Sequence, residues 1–97
     1  MKYNYRLSAS AERELEREID YSIERWGKKH AKLYRDGLLS VVKSIVSNPF
    51  LYPERLEIGV GYRVVRYKGN YIIYSVNEEE KYIEIIAFPS IHRYILN

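Results

Sequence analysis

Tyr21-Ser-Ile-Glu-Arg-Trp-Gly-Lys-Lys-His-Ala-Lys-Leu-Tyr34 decides the fold, because within it one amphipathic helix stops and another starts. Gly27 marks the stop, since glycine enters left-handed backbone conformations at little steric cost and so ends helices. Upstream, Ala11, Leu15, Ile19, Ile23 and Trp26 recur every three or four residues and form the inward stripe of a first helix. Downstream, Ala31, Tyr34, Leu38, Val41, Val42 and Ile45 define the face of a second. Trp26 and Tyr34 lie on these stripes and are expected in the core or inside the hairpin. Ser8 offers a hydroxyl to cap the first helix, and Glu12 favours its dipole. The second helix runs to about Ser47, where Asn48-Pro49 ends it because residues before proline avoid the helical region.

On either side of this hairpin the period changes to two. Tyr3, Tyr5 and Leu7 alternate with Asn4 and Arg6, the pattern of a half-buried strand. Phe50 to Gly61 reads as a loop. Tyr62 to Tyr67 and Tyr71 to Val76 are rich in Val, Ile and Tyr and are separated by the hairpin-type turn Lys68-Gly69-Asn70. Glu78, Glu79 and Glu80 mark the next turn, and Tyr82 to Phe88 is the last strand before Pro89-Ser90. The expected class is α+β: an N-terminal strand, a helical hairpin, then a three-stranded antiparallel sheet, in one domain over residues 1–97. Such a hairpin buries one face of each layer and leaves the other sheet face open. Spacing alone does not say where the first strand pairs.

The 97 residues suffice for one core and not for two. The apolar runs are far short of the roughly 18 residues a membrane-spanning helix needs, so no membrane association is expected. Met1-Lys-Tyr-Asn-Tyr-Arg6 alternates and lacks the apolar block of a secretory signal. Cysteine is absent, which excludes disulfides and thiolate metal sites and makes the cytoplasm the expected location. No pair of histidines or carboxylates has metal-ligand spacing, and Gly59-Val-Gly61 lacks the lysine and following helix of a phosphate loop. Neither a metal nor a cofactor is expected. Eleven tyrosines, against two phenylalanines and one tryptophan, suit half-buried strands and binding surfaces, because tyrosine buries a ring and keeps a polar tip.

The formal net charge is only +3, but it is unevenly placed. Glu12, Glu14, Glu16, Glu18, Asp20 and Glu24 alternate with Arg13 and Arg17, as on a solvated helix face with ion pairs three or four residues apart. From Arg25 to Arg35 there are bases at Arg25, Lys28, Lys29, Lys32 and Arg35, with His30 and no acid. This block meets phosphate, an acidic partner or only water.

The order Tyr5-Arg-Leu-Ser-Ala-Ser-Ala-Glu-Arg-Glu-Leu15, then Tyr21, Arg25-Trp26-Gly27, Ala31, Tyr34, Leu38, Asn48-Pro49, Tyr62-Arg63 and Tyr71-Ile-Ile-Tyr74, resembles the ParE/RelE superfamily of type II toxins. Within it, the chain looks like the ParE branch. The resemblance implies a helical hairpin packed on a small antiparallel sheet. It also implies a toxin neutralised by a cognate antitoxin, with DNA gyrase as the target of ParE-type members and messenger RNA on the ribosome as that of RelE-type members. A toxin that retains only antitoxin binding is a third reading, and a homodimer and a toxin–antitoxin hetero-oligomer are both open.

The branch decides whether the chain is an enzyme. Metal-independent RNA cleavage needs a base for the 2′-hydroxyl, cations for the phosphorane and an acid for the leaving oxygen. By resemblance, a nuclease would use Arg63, Arg66, His92, Arg93 and Tyr94. Arg63 and Arg66 are three residues apart, however, and so lie on opposite sheet faces. Where RelE-like chains place an arginine after the turn in the third strand, this chain has Tyr71. Many ParE-like chains end with His-Gly-Arg-Arg-Asp, and the matching place here reads Ser90-Ile91-His92-Arg93. The ParE reading assigns target binding to His92, Arg93 and Tyr94, and antitoxin binding to Trp26, Tyr34 and Tyr62.

Overall fold

Ser8 caps the first helix through its side chain, its Oγ accepting the Ala11 N–H at 3.0 Å. The computed structural model describes residues 3–91. In chain order these form β1 (Asn4–Leu7), α1 (Ala9–Trp26), α2 (Lys28–Ser47), β2 (Arg63–Tyr67), β3 (Asn70–Asn77) and β4 (Tyr82–Ala87). Gly27 alone separates the helices. Its φ of 96° and ψ of 166° lie in a region that side-chain-bearing residues avoid, and its N–H closes α1 onto the Ile23 carbonyl at 2.9 Å.

The strands make one sheet in the order β1-β4-β3-β2. The meander β2-β3-β4 is antiparallel, as the pattern predicts, with a register shift between Ile73 and Tyr74. β1 joins at the edge, parallel to β4, with Tyr5 opposite Ile83 and Leu7 opposite Ile85. This placement makes the sheet four-stranded and mixed. The chain leaves β1 at Ser8, whose N–H bonds the Ile85 carbonyl and whose hydroxyl donates to the Ile86 carbonyl at 2.6 Å. The strand is more exposed than its alternation suggests, because it has a neighbour on one side only.

The helices cover one sheet face. Ala11 from α1, Leu38 and Ile45 from α2, and Ile72, Tyr74 and Ile83 from the sheet are buried together. Each large apolar side chain so buried contributes about 1.5–3 kcal/mol. Tyr74 satisfies its hydroxyl by donating to the Pro49 carbonyl at 3.0 Å, which ties the exit of α2 to the central sheet. Among the described residues no buried side-chain nitrogen or oxygen lacks a hydrogen bond. No described helix is long and apolar enough to cross a membrane.

The far end of α1 departs from its stripe. Ile23 is 37% exposed and Trp26 58%, while Ser22 is buried. The expectation of Trp26 as a core residue is therefore corrected. The last turns of α1 overhang an open cleft, lined by Ser22, Trp26 and Tyr34, instead of a sheet strand.

Candidate functional site

The cleft has a volume of about 760 Å³ and lies between the hairpin end and the β2–β3 turn. Its helical wall carries Tyr21, Trp26 and His30, and the opposite wall is Lys68, Gly69 and Asn70 with Pro89 and Ser90. Trp26 at the end of α1 and His30 in the first turn of α2, facing each other across the Gly27 corner, have ring centroids 5.5 Å apart, and the Arg25 guanidinium sits 5.2 Å from the Trp26 ring. The result is an exposed aromatic edge with a positive rim.

The floor is a polar network. Tyr34 donates to Asn70 Oδ1 at 2.6 Å, and the Asn70 amide donates to the Phe88 carbonyl at 3.4 Å. Tyr67 packs its ring 5.2 Å from Tyr34 and donates to the Tyr34 carbonyl at 2.7 Å. Burial, then the Glu18 carboxylate and Tyr67, hold the Tyr34 hydroxyl well above the usual tyrosine pKa, so it stays a donor. Burial also raises Tyr67. Glu14 Oε1 accepts the Phe88 N–H at 2.9 Å.

Beyond β4 the chain is held along the β2–β3 turn. Tyr71 donates its N–H to the Pro89 carbonyl, and Ile91 donates its own to the Gly69 carbonyl, both at 2.9 Å. The turn itself needs Lys68 at φ 52°.

Of the three antitoxin-binding candidates, Trp26 and Tyr34 share this cleft. Tyr62 does not line it. It precedes β2, at the end of that strand remote from the turn, with its ring against Gly59. Arg63 and Arg66 fall on opposite faces, as their spacing predicts. Arg63 points to the helix-covered side with Val65 and Tyr67, where it bonds the Tyr52 carbonyl, lies 3.8 Å from Glu54 and has a side chain only 14% exposed. Arg66 is exposed on the open face and pairs in register with Tyr71. His92, Arg93 and Tyr94 lie outside the described residues. Among those described, no three His, Asp or Glu side chains cluster closely enough to hold a metal ion.

Sequence reading misses Asn70 and Glu14. Asn70 has the character of a turn residue, and nothing local shows that its amide is buried. Glu14 carries a signal, since it stands three residues after Ala11 on the inward side of α1, but its neighbours group it with the solvated carboxylates.

Comparison with known proteins fits this architecture. The chain matches the family "ParE toxin of type II toxin-antitoxin system, parDE" over residues 5–92. Its structure is similar to a chain of the chromosomal ParDE toxin–antitoxin system from P. aeruginosa, with a TM-score of 0.76 at 16% identity, covering 91% of this chain and 95% of that one. It is also similar to a chain of the RelBE2 toxin–antitoxin complex from Mycobacterium tuberculosis, with a TM-score of 0.59 at 20% identity, covering 93% and 99%. No curated protein matches the sequence. The family match spans nearly the whole chain, from β1 to just past the last described residue, and on that ground the chain belongs to the ParE toxin family of type II toxin–antitoxin systems.

Proposed function

We propose that the protein inhibits DNA gyrase by binding it and is held inactive by a cognate antitoxin. The observation that carries binding over RNA cleavage is the separation of the two middle-strand arginines. Arg63 is committed to Tyr52 and Glu54 behind the sheet, and Arg66 stands on the open face beside Tyr71, so the two cations do not converge on one phosphate. Family membership supports the ParE branch, and likeness to chains from two toxin–antitoxin systems supports an antitoxin partner. In this reading Trp26 and Tyr34 anchor the antitoxin in the cleft, and His92, Arg93 and Tyr94 contact gyrase.

The test is controlled induction in cells, with plasmid supercoiling and messenger RNA integrity followed in parallel. Loss of supercoiling with intact transcripts is expected. Ribosome-dependent transcript cleavage with normal supercoiling would overturn the proposal.

A further inference from the structure

Helix α2 is lopsided in charge. Its 20 residues carry Lys28, Lys29, Lys32, Arg35 and Lys43 against a single acid, Asp36, which Lys32 holds at 2.9 Å. Lys28, Lys29, Arg35 and Lys43 are exposed and have no ion-pair partner among the described residues. At about 100° per residue the four fall within an arc of roughly 120°, and at about 1.5 Å per residue they extend some 22 Å along the helix. The helix start adds to the same field. No acid stands in its first turn and Gly27 supplies no side-chain cap, so the positive end of the helix dipole meets two lysines instead of a neutralising carboxylate. That arrangement works against the isolated helix and favours an anionic partner.

We infer that the outer face of α2 binds the phosphate backbone of duplex DNA without reading its sequence. Three of the four free cations are lysine, which is depleted at protein–protein interfaces but serves phosphate well as a point charge. None of the four is an aromatic anchor of the kind that carries protein interfaces. A duplex presents about one charge per 1.7 Å of axis, so a line of this length meets more phosphates than it has cations. The inference stands on α2 alone and does not depend on gyrase being the target.

Fluorescence anisotropy of the full-length protein with a labelled duplex, titrated at several salt concentrations, tests it. Four phosphate contacts give a slope of about −3.6 for log K against log salt, so affinity should fall on the order of 100-fold between about 50 and 200 mM. The variant K28Q/K29Q/R35Q/K43Q should lose binding with its circular dichroism and melting temperature unchanged. A control, R6Q/R13Q/K68Q/K81Q, lowers the formal net charge of +3 by the same four charges and should retain binding. Equal loss in both variants, no wild-type binding at the lowest salt, or competition by polyglutamate as strong as by DNA would overturn the inference, the last in favour of an acidic protein.

Discussion

Tyr34 in α2 and Asn70 at the head of β3 share a 2.6 Å hydrogen bond across the floor of the cleft, with the tyrosine hydroxyl donating. Asn70 is 2% exposed and also reaches the Phe88 carbonyl, so one buried amide joins the second helix, the β2–β3 turn and the chain leaving β4. Replacing Tyr34 by Phe keeps the ring and leaves the buried Asn70 Oδ1 without its donor. Such an orphaned acceptor costs about 1–3 kcal/mol. For a domain of this size, Tyr34→Phe should lower the melting temperature by roughly 4–8 °C per kcal/mol lost. An unchanged melting curve would show that water replaces the hydroxyl.

Gly37 is a helix-interior glycine whose replacement by alanine would normally stabilise by about 1 kcal/mol. Here a Cβ would stand 2.3 Å from Tyr67 Oη, and that hydroxyl is fixed on the Tyr34 carbonyl. Gly37→Ala should therefore destabilise, by about 1–3 kcal/mol, as overpacking does. With Tyr67→Phe in the background the nearest ring carbon is 3.3 Å away, and most of the penalty should vanish. Denaturant unfolding of the four members of this double-mutant cycle measures the coupling, and strict additivity would refute the contact.

The helical hairpin and the antiparallel meander are legible in the sequence because burial repeats at 3.6 and 2 residues and because Ser8, Gly27 and Pro49 punctuate the chain. Four things are not. β1 is short, and its partner lies more than seventy residues away at β4, so no local pattern could select that edge. Trp26 keeps the period of α1, but periodicity reports which face a residue occupies and not whether anything lies beneath it. Asn70 is buried by segments distant in sequence, and an amide in a turn carries no mark of that. The opposed faces of Arg63 and Arg66 follow directly from strand alternation. The Arg63 partners, supplied by the irregular loop before β2, do not.

Alkaline stability should report Tyr74. Burial, opposed by Arg63 and assisted by Tyr52, pushes its hydroxyl up to about 12 from 10.0. Between these values the unfolded chain has lost a proton that the folded one retains, so stability is complete below about pH 10 and falls as pH rises toward 12. The loss is on the order of 3 kcal/mol. Tyr34, raised in the same direction, adds to it. Tyr74→Phe should be less stable at neutral pH, because it leaves the Pro49 carbonyl unpaired, yet show a shallower decline above pH 10 in urea titrations. Parallel declines for the two proteins would exclude Tyr74 as a source.

Antitoxin binding should separate the aromatic candidates. Trp26 is exposed at the rim of the cleft and can be truncated without opening the core, whereas Tyr62 lies outside that cleft. Trp26→Ala should weaken antitoxin binding by about 2 kcal/mol, roughly 30-fold, with an unchanged melting temperature. Tyr62→Ala should have little effect on affinity. Calorimetric titration with the proposed cognate antitoxin measures both, and equal losses would move the interface away from the cleft.

The segment beyond the described residues should carry the toxic contact. Ser90 and Ile91 are positioned by the β2–β3 turn, with Asn70 bridging Ser90 and the Gly69 carbonyl accepting the Ile91 N–H, so the chain passes Ile91 from a fixed point beside the cleft. His92, Arg93 and Tyr94 come next in sequence. A guanidinium grips a carboxylate or phosphate through two parallel hydrogen bonds, which lysine cannot reproduce. If Arg93 makes the main charged contact with the target, Arg93→Ala and deletion of residues 94–97 should each abolish growth inhibition, and Arg93→Lys should restore only part of it. Antitoxin affinity and melting temperature should stay near wild type in all three, because the anchoring bonds at Ser90 and Ile91 remain. A fall in melting temperature on deletion would mean instead that Ile95 and Leu96 serve packing, and full toxicity in the Ala and deletion variants would remove the segment from the mechanism.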